Sequence, residues 1–224
     1  MTSRAAPLAV GVPKPLTKQV ERDRVLSDDE ISSLWKACEE IGWPFGPVFQ
    51  LLLLTAQRKN GVAGMRWSEL DLDNRVWHLP KERTKNGKAH DVSLSDQAMA
   101  IINRLFRFKP EPGKSDFVFS ITGTTSVIGF SYAKANLAEI IGISDWRTHD
   151  LRRTATPGMA RLGIPPHVAD RVLNHTSGTI SGVAAVYNRF QYLDERRNAL
   201  EAWGKFVEGS IHPERQGNVV ALRG

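Results

Sequence analysis

The feature that most constrains this fold is one strand-forming stretch placed between long helical segments. Residues 75–79 are rich in strand formers, and residues 90–94 alternate between apolar and polar side chains. Asn86-Gly87 lies between them and favours a two-residue hairpin turn, in which both turn positions take positive φ. The pattern therefore predicts a small antiparallel sheet inserted early in a mostly helical chain.

Helical signals lie on both sides of this stretch. Ser27 and Glu30 form a capping box ahead of apolar residues that recur at helical spacing. Further helices are predicted over residues 45–56 and 95–108. From residue 126 to residue 207 the pattern is mostly helical. The predicted fold class is therefore mainly α with a small antiparallel β-sheet (α+β).

The same patterns divide the chain into three parts. Residues 1–24 are proline-containing and lack clear periodicity, so we expect a flexible N-terminal linker or arm. Residues 25–208 are predicted to form one folded domain. Residues 209–224 are predicted to form an irregular C-terminal tail.

The composition limits the class of protein. No run of apolar residues approaches the roughly 20 that a membrane-spanning helix needs, so we expect no membrane partner. Cys38 is the single cysteine of the chain, which excludes an internal disulfide and gives no support for a thiolate metal site. A reducing, intracellular setting, the cytoplasm, is the simpler interpretation.

The charge permits a polyanionic partner without requiring one. The formal net charge is +6 and the sequence pI is about 9.6. The basic residues cluster between apolar segments, an arrangement that suits phosphate contacts from a folded scaffold. The clusters lie at residues 58–59, 81–88, 104–109, 147–153 and 196–197.

Six residues carry side chains suited to phosphate chemistry. Taken alone, each has an ordinary structural explanation, as a helix cap, a solvated side chain, a hydrogen-bonded histidine or a core aromatic. His149 and Arg152 are three residues apart and would share one face of a helix. The six residues are Arg58, Lys85, His149, Arg152, His175 and Tyr187.

Together these side chains form a metal-free set for transesterification at phosphorus. The two arginines supply forked donors for the charge that gathers on the non-bridging oxygens of a phosphodiester. A histidine adds a hydrogen bond, and a lysine on the predicted hairpin can protonate the departing 5′ oxygen. A tyrosine supplies the nucleophile, although its ordinary pKa of about 10 requires cationic neighbours or a base. We therefore expect no metal and no other cofactor.

In order and context these segments resemble the tyrosine recombinase family, particularly phage and genomic-island integrases. The resemblance covers about residues 25–207 and implies a catalytic domain that breaks and rejoins DNA. The matching segments are Thr55-Ala56-Gln57-Arg58, Gly64-Met65-Arg66-Trp67, Trp77-His78-Leu79-Pro80, Arg83-Thr84-Lys85-Asn86-Gly87, Thr148-His149-Asp150-Leu151-Arg152-Arg153-Thr154, Met159-Ala160-Arg161-Leu162-Gly163-Ile164, Leu173-Asn174-His175 and Val186-Tyr187-Asn188-Arg189.

The resemblance implies roles for the basic residues. Arg58 and Arg152 would bind the scissile phosphate. Lys85 would be the general acid. His149 would assist as acid or base, and His175 would contact the phosphate.

The resemblance also implies that Tyr187 attacks DNA to give a 3′-phosphotyrosyl intermediate. Of the other two tyrosines, Tyr132 precedes the His-x-x-Arg segment and is in the wrong order. Tyr192 lies five residues after Tyr187, about 140° around a helix, so both cannot face one phosphate. Tyr187 is therefore the predicted nucleophile, with Tyr192 in reserve.

Three positions depart from the family pattern. An acidic residue is usual three positions after the first arginine, where this chain has Gly61, and Glu69 is a candidate substitute. Pro157 falls where a helix begun at His149 should continue, so it would kink the helix or be tolerated in a first turn. Ala56 replaces a usual glycine, which is a mild change.

These departures leave alternative functions open. One is a catalytically impaired, DNA-binding remnant of an integrase, and another is a type IB topoisomerase-like enzyme. The resemblance further implies double-stranded DNA as partner, a homotetramer assembled on DNA, and association with a bacterial nucleoid. Because family members carry N-terminal core-binding and arm-binding domains that residues 1–24 cannot encode, we expect those domains to be needed for full function. An apolar stripe over residues 192–206 is expected to pack either on its own core or on a neighbouring protomer.

Overall fold

The computed structural model describes residues 23–107, 116–175 and 192–213. It has the predicted fold class, since helices surround one small antiparallel sheet. The helices are α1 (Asp28–Ile41), α2 (Phe45–Thr55), α3 (Lys59–Ala63), α4 (Asp96–Arg104), α5 (Phe130–Ile141), α6 (Thr148–Arg161), α7 (Pro166–Val172) and α8 (Leu193–Ile211). The strands are β1 (Leu70–Asp71), β2 (Val76–Leu79) and β3 (His90–Ser93).

Helix α1 begins at the predicted capping box. The Ser27 hydroxyl accepts a hydrogen bond from the Glu30 amide at 3.2 Å, and the Ser27 amide donates to the Glu30 carboxylate at 2.8 Å. Ile31, Leu34 and Cys38 then face the core at helical spacing. The sequence signal for this helix is therefore confirmed at both its start and its buried face.

Helix α2 lies at the centre of the molecule because nearly all of its side chains are apolar. Residues 48–54 are buried on every face of the helix. The helix ends where Ala56 takes a left-handed conformation with φ of 53°. This turn redirects the chain through the buried Gln57 toward Arg58.

The sheet differs from the predicted hairpin in its connection. Strands β2 and β3 pair antiparallel with Leu79 opposite His90, so residues 80–89 form a ten-residue connection instead of a two-residue turn. A 3-10 turn follows Pro80, and of the pair at positions 86–87 only Gly87 has positive φ, at 66°. The prediction of a two-residue turn was wrong because Asn86 hydrogen bonds to distant Asn174, a contact that local turn preferences do not encode.

Helix α6 continues through Pro157 to Arg161. Because the helix begins at Thr148, Pro157 lies in its third turn, so tolerance in a first turn does not apply. Pro157 is exposed, whereas the next residue, Gly158, is buried beneath the ring of Trp203. The two adjacent positions therefore point to solvent and core respectively.

Helix α8 packs across the rest of the domain, against α1, α4, α6 and α7. Leu200, Trp203 and Val207 are buried, and the Trp203 indole donates to the Leu53 carbonyl in α2 at 2.8 Å. The apolar stripe after residue 192 is therefore intramolecular. The helix extends through residues 209–211, beyond the predicted end of the folded domain at residue 208, because Ile211 is buried on the same face.

Helix lengths bear on the expected lack of a membrane partner. The most apolar helix, α2, has 11 residues, well short of the roughly 20 required. Within residues 23–107, 116–175 and 192–213, no helix combines the length and apolar character needed to cross a bilayer.

Candidate active site

Arg152 is the centre of the candidate site. It lies on α6 and only 4% of its surface is exposed. Its guanidinium donates to the main-chain carbonyl of Ala56 at 2.6 Å and to the main-chain carbonyl of Leu173. Arg152 thus joins the end of α2 to the end of α7, and these carbonyls fix the orientation of its fork.

Arg58 lies directly after the left-handed turn at Ala56 and is the N-cap residue of α3. Burial, and then the positive charge of Arg58, lower the pKa of Arg152 to about 9. Arg152 is still protonated at neutral pH, so the two cations repel each other. A phosphate bound between them would relieve this repulsion and accept their remaining N–H groups.

Two histidines border the same pair of arginines. Burial lowers the pKa of His149, and the charges of Arg152, Arg153 and, more weakly, Arg58 lower it further. Burial and the charge of Arg152 likewise lower the pKa of His175, against the opposing effect of its hydrogen bond to Asp170.

Both histidines therefore lie close enough to Arg58 and Arg152 for the two positive charges to lower their pKa values. His149 is in the first turn of α6, and His175 follows α7. The His175 amide donates to the Asp170 carbonyl at 2.8 Å, which holds the residue at the end of that helix. Lowered pKa values keep both rings neutral near pH 7, so each can donate one hydrogen bond and accept another.

Lys85 lies in the connection between β2 and β3, and its side chain is exposed. The neighbouring Asn86 side chain donates to the Asn174 side chain at 2.8 Å and lies 3.3 Å from the Asn174 carbonyl. This contact brings the connection against the corner that carries His175. Lys85 is therefore next in sequence to a residue that contacts this corner, and its own side chain is exposed to solvent.

Tyr187, the predicted nucleophile, lies outside the described residues. Tyr192 is described, and its ring lies 3.9 Å from the Arg171 guanidinium carbon and 5.7 Å from the His167 ring. Tyr192 is thus held against α7 by a cation–π contact and an edge-to-face contact.

Two buried polar residues support the pocket and were not predicted. The side-chain amide nitrogen of Gln57, Nε2, donates to the Thr55 carbonyl at 3.0 Å and to the Val172 carbonyl at 2.8 Å. His90 Nε2 lies 3.2 Å from the same Val172 carbonyl. The sequence does show a polar residue, Gln57, directly after an apolar helix. It does not reveal the hydrogen-bond partner, because the Val172 carbonyl is distant in sequence from both side chains.

The family departure at Gly61 has a local explanation. A Cβ atom there would lie 3.6 Å from Trp77 and 3.7 Å from Leu79, so its surroundings are apolar. Glu69 does not substitute, since its carboxylate accepts from Trp77 Nε1 at 3.1 Å and pairs with Arg83. The Glu69 carboxylate is therefore committed to the sheet side of the domain.

Comparison with known proteins decides the family. Residues 24–192 match the model of the phage integrase family. The chain belongs to the phage integrase family. It is 29% identical over 169 residues to prophage integrase IntA of Escherichia coli K12, covering 73% of this chain and 38% of that protein. It is 32% identical over 142 residues to an Escherichia coli shufflon-specific DNA recombinase, covering 63% and 34%.

Solved structures show the same fold for this phage integrase family member. XerA recombinase matches with a TM-score of 0.56 and 18% identity, covering 80% of this chain and 67% of that one. The Tn1549 transposon integrase, in complex with a circular intermediate DNA, matches with a TM-score of 0.59 and 15% identity, covering 78% and 68%. The chain spans about two fifths of the length of IntA.

Proposed function

We propose that this chain is the catalytic domain of a site-specific DNA recombinase that integrates or excises a mobile element. The observation that carries the proposal is the buried Arg152 fork, fixed by two carbonyls and close enough to Arg58 to feel its charge. A guanidinium has five N–H donors, and two carbonyl contacts leave others for a phosphate. The pocket therefore suits a phosphodiester whose charge grows in the transition state.

The proposed reaction conserves bond energy. The Tyr187 oxygen attacks the scissile phosphorus, the bond from phosphorus to the 5′ oxygen breaks, and Lys85 gives a proton to that oxygen. His149 takes the proton of the Tyr187 hydroxyl as general base and returns it when Tyr187 is released, and His175 contacts the phosphate. The 5′ hydroxyl of a second strand then attacks the phosphotyrosine and releases Tyr187.

The proposed partner is double-stranded DNA, and the proposed assembly is a homotetramer on that DNA. Structural neighbours include a transposon integrase in complex with DNA and XerH recombinase bound to its difH substrate. The proposed location is the cytoplasm, at the bacterial nucleoid. Full function would also require N-terminal core-binding and arm-binding domains.

A nicked suicide duplex tests the nucleophile. The parent chain is expected to form a covalent protein–DNA adduct, and Tyr187→Phe is expected to form none because the attacking oxygen is lost. Tyr192→Phe is the matched control, because phenylalanine retains the ring contacts with Arg171 and His167. Adduct formation by Tyr187→Phe would overturn the assignment.

Measurements of binding and of plasmid relaxation, beside the adduct assay, separate the alternatives. Stable binding without adduct in the parent chain would indicate a catalytically impaired remnant, as the departures at Gly61 and Pro157 allow. Relaxation of a supercoiled plasmid without strand exchange would indicate topoisomerase-like activity.

A further inference from the structure

A second basic pocket lies beside the candidate active site. It is a cavity of about 250 Å³ between the start of α5, the start of α6 and α3. Among the described residues that line it, none is acidic and three carry positive charge. The lining residues are Lys59, Phe130, Ser131, Lys134, Trp146, Arg147 and Thr148.

A buried donor without an acceptor points to a ligand here. Trp146 is 2% exposed, and its indole N–H finds no hydrogen-bond acceptor among the described residues. The Lys134 ammonium lies 5.5 Å from the Trp146 ring centroid and donates to the Ser144 carbonyl at 3.2 Å. Because Trp146 lines the cavity, an anion oxygen or a bridging water held there is a candidate acceptor for this N–H.

The position of the pocket suggests the source of the anion. Lys59 follows Arg58, and Thr148 precedes His149, so the pocket borders the site proposed for the scissile phosphate. A second cavity of about 380 Å³ shares Lys59, Phe130 and Ser131 and extends the groove. The basic side chains of the pocket lie next to Arg58 in sequence and space, and neighbouring cationic sites suit a polymer with regularly spaced phosphates better than an isolated ion.

We propose that the pocket formed by Lys59, Lys134, Trp146 and Arg147 binds a non-scissile backbone phosphate of the DNA next to the cleavage point. The proposal rests on the proposed function, because it requires DNA at the neighbouring arginines. The contact positions the duplex and carries no base specificity.

The test measures duplex binding in the full chain with Tyr187→Phe, so it does not depend on cleavage. Lys134→Ala is expected to reduce the slope of log affinity against log salt by about 1, because one phosphate contact is lost. The factor by which affinity falls between 50 and 200 mM salt should then be about fourfold smaller than in the parent. Lys36→Ala, an exposed lysine on α1, is the matched control and should leave the slope unchanged.

Neutral methylphosphonate linkages locate the contact. Replacing one phosphate near the cleavage point should weaken binding of the parent and have no further effect on Lys134→Ala. Trp146→Phe, which retains an aromatic ring but lacks the N–H, should weaken binding at the same linkage, with a thermal melt as its folding control. An unchanged salt slope in Lys134→Ala would overturn the proposal.

Inorganic phosphate distinguishes the two sources of the anion. If Lys134→Ala abolished its binding but left the DNA salt slope unchanged, the pocket would be a free-anion site and the DNA assignment would be wrong. A failed adduct assay with the expected slopes would overturn the proposed function and leave this site intact.

Discussion

At the scale of single residues, buried polar groups hold the pocket together. Arg152, Gln57 and His90 all hydrogen bond to main-chain carbonyls at the ends of α2 or α7. Such groups are costly to bury unless they are hydrogen bonded. The Nδ1 atom of His90 lies 3.4 Å from the Arg196 guanidinium, so His90 fits as a neutral ring with its proton on Nε2.

The pH dependence of stability tests His90. Burial, and then the charge of Arg196, lower its pKa to about 4 from an ordinary value near 6.5. The unfolded chain therefore binds more protons between these values, and stability falls as pH drops through this window. We expect His90 to account for about 2 kcal/mol of the stability lost between pH 7 and pH 5.

Urea unfolding of the parent and His90→Gln at pH 7, 6 and 5 measures this effect. Glutamine can still donate to the Val172 carbonyl but does not titrate. The variant should therefore lose less stability than the parent as pH falls. Equal losses in the two proteins would contradict the assignment.

At the scale of the helix, α6 contains a proline that weakens its hydrogen bonding and a glycine that its packing requires. Pro157 removes an amide from the third turn but faces solvent, so only the helix itself is affected. A Cβ atom on Gly158 would lie 2.2 Å from the Trp203 ring. The close approach of α6 and α8 therefore requires glycine at this position.

Alanine substitutions at these two positions should have opposite effects. Pro157→Ala restores a helical hydrogen bond and should raise the free energy of unfolding by about 1–2 kcal/mol. Gly158→Ala should lower it by about 1–3 kcal/mol, because the helices must move apart. Denaturant unfolding measures both changes, and a destabilised Pro157→Ala would show that proline suits this turn.

At the scale of the whole molecule, α8 closes the core and uses its apolar face in doing so. It packs on α1, α4, α6 and α7, and the exposed large apolar residues elsewhere include Phe106, Ile121, Ile128 and Tyr132. The stripe on α8 is therefore unavailable for docking to a neighbouring protomer. The proposed assembly on DNA would therefore use other surfaces.

Sedimentation tests this consequence. Without DNA the chain should sediment as a monomer, because its apolar helix face is buried within the protomer. With duplex target DNA the proposed function predicts a larger species with four protomers. A monomer under both conditions would count against the tetramer, and a DNA-free dimer would count against the monomer.

Local signals in the sequence determined the element types and the ordered set of basic residues. The capping box set the start of α1, and apolar periodicity marked the buried faces of its helices, because both depend on residues within a few positions of each other. The motif order also singled out Arg58, Arg152, His149 and His175, and in the structure the charges of the two arginines act on both histidines.

Only the tertiary structure decided the features that depend on distant pairs. The Asn86–Asn174 contact replaced the expected two-residue turn, and the Val172 carbonyl pairs with Gln57 and His90 from two other parts of the chain. Trp203 determined that position 158 must be glycine. These partners are separated by tens of residues, so short-range propensity carries no information about them. Their contacts are decided instead by core packing and by the need to pair buried polar groups.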